Sequence, residues 1–264
     1  MITVLLLISL FSYALSAIFT GQRFAAHEPW GQRRIQISGA VAIVSHSLAV
    51  GAILAVNKFQ YFNMAVTLLI IAALLAIFNY ARGLRPEAML LRPVIFTFAL
   101  LSIVIALLTP LHAGRPVTAQ IGVTLHIGLS LLAFSILVLA ALYSLQLLYV
   151  NRLLKQRKAK ALSENLPPLM TVENYFFKLL TIGTGVLTLA IVSGFLFLES
   201  MFASGQLHKT ILSIVAWLTF NVILITHYLR GMRGKPAVIF TLIASFLLIL
   251  AYYGSRFVRD VLLS

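Results

Sequence analysis

The chain has 264 residues, 61% of them hydrophobic and only 10% charged, with a mean hydropathy of +1.02. That composition excludes a water-soluble domain and points to an all-α integral membrane protein. The formal net charge of +14 reads as an asymmetry between the two membrane faces, with no nucleic acid partner expected, and the absence of cysteine excludes disulfides, thiolate metal sites and haem attached through CxxCH.

At about 20 apolar residues per span, the sequence predicts an eight-transmembrane-helix bundle. The spans cover about 2–19, 37–56, 62–81, 93–111, 119–149, 175–200, 209–229 and 236–257. Residues 1–264 then form a single polytopic membrane domain, because the longest stretch between apolar runs, Asn151 to Asn174, is the length of one linker or surface helix. The first run, MITVLLLISLF, has no basic residues ahead of it and is expected to be a retained span. The second carries His46 at its centre, in VAIVSHSLAV.

Cations alternate between connections. Arg23, Arg33 and Arg34, then Arg82, Arg85 and Arg92, then Arg152, Lys155, Arg157, Lys158, Lys160 and Lys178, then Arg230, Arg233 and Lys235 fall on one side, against Lys58, Arg115 and Lys209 on the other. The positive-inside rule makes the first set cytoplasmic and leaves both termini outside, in the periplasm. The fifth run continues into LQLLYVNRLLKQRKAKAL, a basic extension expected at the cytoplasmic interface until Pro167-Pro168 ends it. In the sixth run, Gly183, Gly185 and Gly194 are expected to let a neighbouring helix approach closely.

With so few charges, the six histidines carry the chemistry. His27 and His112 fall in loops, where water solvates them. His46 lies about ten residues from either end of its span, where an unpartnered imidazole forfeits its hydrogen bonds to water. His227, in VILITHYLRG, is near the cytoplasmic end of the seventh span, where snorkelling beside Tyr228 is the ordinary explanation. Two such imidazoles can serve as axial ligands of one iron, although on straight helices His46 sits ~10 Å deeper than His227. A second pair lies towards the outside: His126, one turn from Ser130, and His208 beside Lys209. Arg115, Lys209, Arg256 and Arg259 are the outer cations available to carboxylates such as haem propionates.

Other chemistries lack their residues. There is no phosphate-cradling glycine loop and no HExxH, and the six acids (Glu28, Glu87, Glu164, Glu173, Glu199 and Asp260) lie mostly in loops or at span ends, so no carboxylate chain crosses the membrane.

HIGLSLLAFSILVLAALYSLQLL (126–148), IGTGVLTLAIVSGFLF (182–197), HKTILSIVAWLTFNVILITHY (208–228), GKPAV (234–238) and AYYGSR (251–256) resemble the membrane core of the cytochrome c assembly proteins of the CcsA/CcmC haem-handling type. PPLMTVE (167–173) and LSIVAW (212–217) narrow the resemblance to the short, eight-span YpjD/HemX-type branch, over nearly the whole chain. The resemblance implies that His46 and His227 occupy the positions of two intramembrane histidines that bind haem b, and His126 that of the first of two external histidines that hold haem for delivery. Two features depart from the larger family. Its tryptophan-rich WWD segment is replaced by FLFLESMFASGQLHK (195–209), and its second external histidine is missing from AYYGSRFV.

The leading expectation is therefore a non-enzymatic haem-binding or haem-relaying protein of the bacterial inner membrane, lacking the complete external platform. Its partners are the lipid bilayer, haem and other membrane proteins. The alternative is a haem-free regulatory or scaffold protein that uses the basic 152–160 stretch on a partner; a transporter is a third reading, opposed by the scarcity of internal prolines.

Overall fold

The computed structural model describes residues 1–26, 31–110, 120–156, 166–198 and 207–254, and among these the chain is α-helical without strands. The helices are α1 (Ile2–Ala26), α2 (Gly31–Val56), α3 (Met64–Tyr80), α4 (Pro86–Leu108), α5 (Ile121–Lys155), α6 (Leu169–Phe197), α7 (Leu207–Arg230) and α8 (Lys235–Ile249), the last continued by a π-helical turn, Leu250–Gly254. Seven of them are long and apolar enough to cross a membrane; α3, at 17 residues, is a shorter apolar helix. It is bounded by a side-chain cap at one end and a glycine turn at the other. The Asn63 side chain caps its first turn by accepting from the Val66 amide at 2.9 Å, and a turn with Gly83 at φ +66° follows Tyr80.

The chain divides into two compact units, Met1–Ala119 with Leu162–Pro167, and Gln120–Ala161 with Pro168–Ser264. The first holds α1 to α4 and the second α5 to α8.

In the first unit α1 turns a polar stripe inward. Ser9, Tyr13, Ser16 and Thr20 follow helical spacing and are all fully buried. Ser9 and Ser45 share a 2.8 Å hydroxyl–hydroxyl bond, and the Ser16 hydroxyl donates to the Ile35 carbonyl at 3.3 Å, so two polar contacts join α1 to α2. Gly39 on α2 admits the Tyr80 ring, which a Cβ there would meet at 3.1 Å. The Tyr80 hydroxyl donates to the Gln36 carbonyl at 2.9 Å. Between α3 and α4, the fully buried Arg92 donates to the Gly83 carbonyl at 2.7 Å and lies over the rings of Tyr80 and Phe96. Arg82 pairs with the buried Glu87 at 2.6 Å. Helix α4 starts at Pro86, earlier than the apolar run at 93 suggests, because proline in the first turn loses no helical hydrogen bond.

In the second unit Gly183 is a close-approach position: a Cβ would come within 2.8 Å of Leu137 on α5. Gly185 has open space around it, so only one of these two glycines acts in helix packing. The Trp217 indole N–H donates to Thr188 Oγ1 at 2.8 Å, which makes the tryptophan of LSIVAW a tie between α7 and α6. At ~1.5 Å per residue the 35-residue α5 is longer than a bilayer core is thick. Its last turn bears Arg152 and Lys155; Arg157, Lys158 and Lys160 lie outside the described residues.

Candidate functional site

His46 is fully buried on α2. Its Nδ1 lies 3.2 Å from the Tyr13 hydroxyl, and the two rings meet edge to face with centroids 5.7 Å apart. Tyr13 is itself fully buried and held by an edge contact with Phe96 at 4.8 Å. The Ser9–Ser45 bond, one turn along α1, keeps the two helices in register. The other ring nitrogen of His46, Nε2, is buried without a hydrogen-bond partner. An orphaned nitrogen in an apolar setting costs free energy, on the order of 1–3 kcal/mol, unless something fills its place. When the Tyr13 oxygen accepts from Nδ1–H, the lone pair is on Nε2, and the ring has the pattern of an imidazole prepared as a metal ligand.

His227 on α7 is only half-buried, and its ring stacks on Phe177 of α6 with centroids 3.5 Å apart. Its Nδ1 donates to the Met232 carbonyl at 2.8 Å, in the turn that follows its own helix. A carbonyl oxygen can only accept, so in the neutral ring the proton is on Nδ1 and the lone pair on Nε2. The imidazole borders a groove of about 370 Å³ lined also by Phe177, Lys178, Thr181, Ile182 and Tyr228. Tyr228 is anchored through its hydroxyl, 3.2 Å from that of Thr181.

His126 on α5 is likewise half-buried, and its Nδ1 donates to the Ala190 carbonyl at 2.9 Å, with Ser193 Oγ at 3.1 Å. Ser130, one turn along, approaches Nε2 at 3.5 Å, the outer limit of a hydrogen bond. These bonds to α6 account for His126 without any ligand. His208 is exposed in the first turn of α7. His27, His112, Arg115, Glu199, Arg256 and Arg259 lie outside the described residues.

No group of three or more His, Cys, Asp or Glu side chains gathers to hold a metal ion among the described residues. His46, with Nε2 unpartnered, and His227, with its Nδ1 proton on a carbonyl, each offer a single imidazole nitrogen, the kind of donor that a porphyrin iron takes. Sequence reasoning singled out His46, His227 and His126 but missed what contacts them: Tyr13, the Phe177 ring, and the Met232 and Ala190 carbonyls. Tyr13 had a signal, because Ser9, Tyr13, Ser16 and Thr20 recur at helical spacing along one face of a mostly apolar run. The carbonyls had none.

Helices of this length and apolarity, carrying one fully buried histidine and two half-buried ones, define a multi-pass membrane protein with candidate ligand imidazoles inside its helices. Residues 34–263 match the family profile described as Cytochrome C assembly protein, and the chain belongs to that family. It is 34% identical over 240 residues to inner membrane protein YpjD of Escherichia coli K12, covering 88% of this chain and 89% of that one. It is 30% identical over 238 residues to an uncharacterized 28.8 kDa protein of Azospirillum brasilense, covering 89% of this chain and 86% of its relative. No solved structure matches the chain. The protein is a multi-pass protein of the bacterial inner membrane.

Proposed function

We propose that this protein is a non-enzymatic haem-binding or haem-relaying member of its family, with His46 and His227 as the imidazoles that would hold haem b. The observation that carries the reading is the bare, fully buried Nε2 of His46, whose partner nitrogen is held by Tyr13. Membership of a cytochrome c assembly family supports it. Bound haem supplies a one-electron iron centre that is also the cargo to be passed on. The chain's own groups do the rest: Tyr13 orients one imidazole, the Met232 carbonyl and the Phe177 ring orient the other, and Lys178 at the groove offers a cation to a carboxylate. His126, with Nδ1 tied and Nε2 facing only a distant hydroxyl, belongs to this reading as a later holding point.

We further infer that α3 spans the membrane with the other seven helices. Its 17 residues cover ~25 Å, within the range for a short span. Eight spans and the cation asymmetry then put both termini on the periplasmic side.

The test is a reduced-minus-oxidised visible spectrum of detergent-purified protein from haem-replete cells, with His46→Ala beside it. A b-type signal in the parent that is lost in the variant is the expected result. A flat spectrum in both overturns the reading in favour of a haem-free scaffold.

A further inference from the structure

Glu173 is a buried carboxylate, 8% exposed, at the end of the PPLMTVE motif, and the haem reading gives it no part. It stands in the second turn of α6 and accepts from the backbone N–H of Gly234 at 3.2 Å, 61 residues further along the chain. Gly234 precedes α8 in the left-handed conformation, φ +67°, and α8 has no side-chain cap of its own. The Glu173 carboxyl oxygen therefore supplies, from another helix, an acceptor for an N–H group at a helix N-terminus.

The same short turn carries the carbonyl that holds His227. Residues 231–234 begin and end with left-handed glycines, Gly231 and Gly234, both at φ +67°. At the α7 end the turn is anchored by the Gly231 amide donating to the His227 carbonyl at 3.0 Å and the Met232 amide donating to the Thr226 carbonyl at 3.2 Å. At the α8 end its anchor is Glu173. Glycine flanks leave the intervening peptides free to rotate once either end is released, and rotation of the Met232 peptide withdraws the acceptor from His227 Nδ1.

We propose that Glu173 is the positioning residue for His227: by fixing the turn between α7 and α8, it keeps the Met232 carbonyl on Nδ1 and so presents the Nε2 lone pair to a ligand. That the ligand is haem rests on the reading above; the positioning does not.

The tautomer is the readout, with His126 as its internal control: general loosening of the fold would release the Nδ1–Ala190 bond of His126 as well, whereas loss of the Glu173 anchor releases the Nδ1–Met232 bond of His227 alone. The full chain, labelled with ¹⁵N-imidazole histidine and produced without haem precursors, is placed in lipid nanodiscs. The His227 nitrogens are identified by their loss in His227→Asn. The parent is expected to show one tautomer, protonated at Nδ1. Glu173→Ala is expected to raise the Nε2-protonated form to roughly a tenth of the molecules or more, as loss of one net hydrogen bond permits. Glu173→Asp, whose carboxylate is drawn back from Gly234, moves the same way, and Glu173→Gln, which keeps an acceptor oxygen in place, restores the parent pattern. A parent-like single tautomer in Glu173→Ala overturns the proposal, and if that variant does not fold, the same result in Glu173→Asp does. Absence of haem from the parent leaves this outcome untouched and counts only against the functional reading.

Discussion

The two units hold their histidines by different means. In the first, His46 is sealed from solvent and its one polar contact is a side chain, the Tyr13 hydroxyl brought in by α1. In the second, His126 and His227 are half-buried and each gives its Nδ1 proton to a backbone carbonyl, that of Ala190 or of Met232. A side-chain partner can be removed by one substitution, whereas a carbonyl can be withdrawn only by moving the backbone that carries it. Control over the first imidazole is therefore local, and control over the second lies in whatever fixes the neighbouring backbone.

The sharpest way to break this comparison is to delete the imidazoles one at a time. His46→Ala and His227→Ala are each expected to lower haem retained through purification by tenfold or more, as the pyridine haemochrome assay would read it, while His126→Ala retains it, roughly at parent level. Equal loss in all three would erase the distinction between the two histidines proposed to hold haem and His126, the later holding point. Next in size is Tyr13→Phe, which keeps the ring and its contact with Phe96 but strips His46 of its partner. By analogy with other residues that orient metal ligands, haem affinity should fall about tenfold, measured by titration of haem into stripped protein. An unchanged affinity would mean that the Tyr13 hydroxyl merely satisfies a buried ring.

Smaller effects test the packing that sets these partners in place. Gly183→Val forces a Cβ into Leu137, with an expected cost of about 1–3 kcal/mol in detergent unfolding, whereas Gly185→Val, with open space around it, should lie within about 0.5 kcal/mol of the parent. A similar cost at both positions would contradict the packing described for α5 and α6. Smallest is Ser9→Ala, which removes the Ser9–Ser45 bond; interhelical bonds of this kind are worth about 0.6 kcal/mol. Its haem spectrum should keep the parent's shape, because Tyr13 remains to hold the ring.

How much of this could be read beforehand depended on the kind of signal. The hydrophobic runs located the helices well, because a bilayer demands long apolar segments whatever their neighbours are. Their ends were less legible. The asparagine cap of α3 and the proline start of α4 are local devices that shift a helix by several residues without changing mean hydropathy. The three histidines stood out because imidazoles are rare and costly in apolar spans, but which nitrogen each would offer was not visible. Glu173 looked like a span-end acid, and nothing along the chain links it to Gly234.

The sequence by itself determined a helical inner-membrane protein of the cytochrome c assembly family, with imidazoles in otherwise apolar helices. Composition, hydropathy and motif spacing are properties of residues in order, and they survive without coordinates. Only the tertiary structure decided the rest: that Nε2 of His46 has no hydrogen-bond partner, that His227 must be protonated on Nδ1 when neutral, and that a carboxyl group on α6 accepts from Gly234 in the turn that follows His227. Those depend on the directions in which backbone carbonyls and side-chain donors from distant segments point. Hydrogen bonds are directional over about 3 Å, so no pattern of residue types along one chain specifies them.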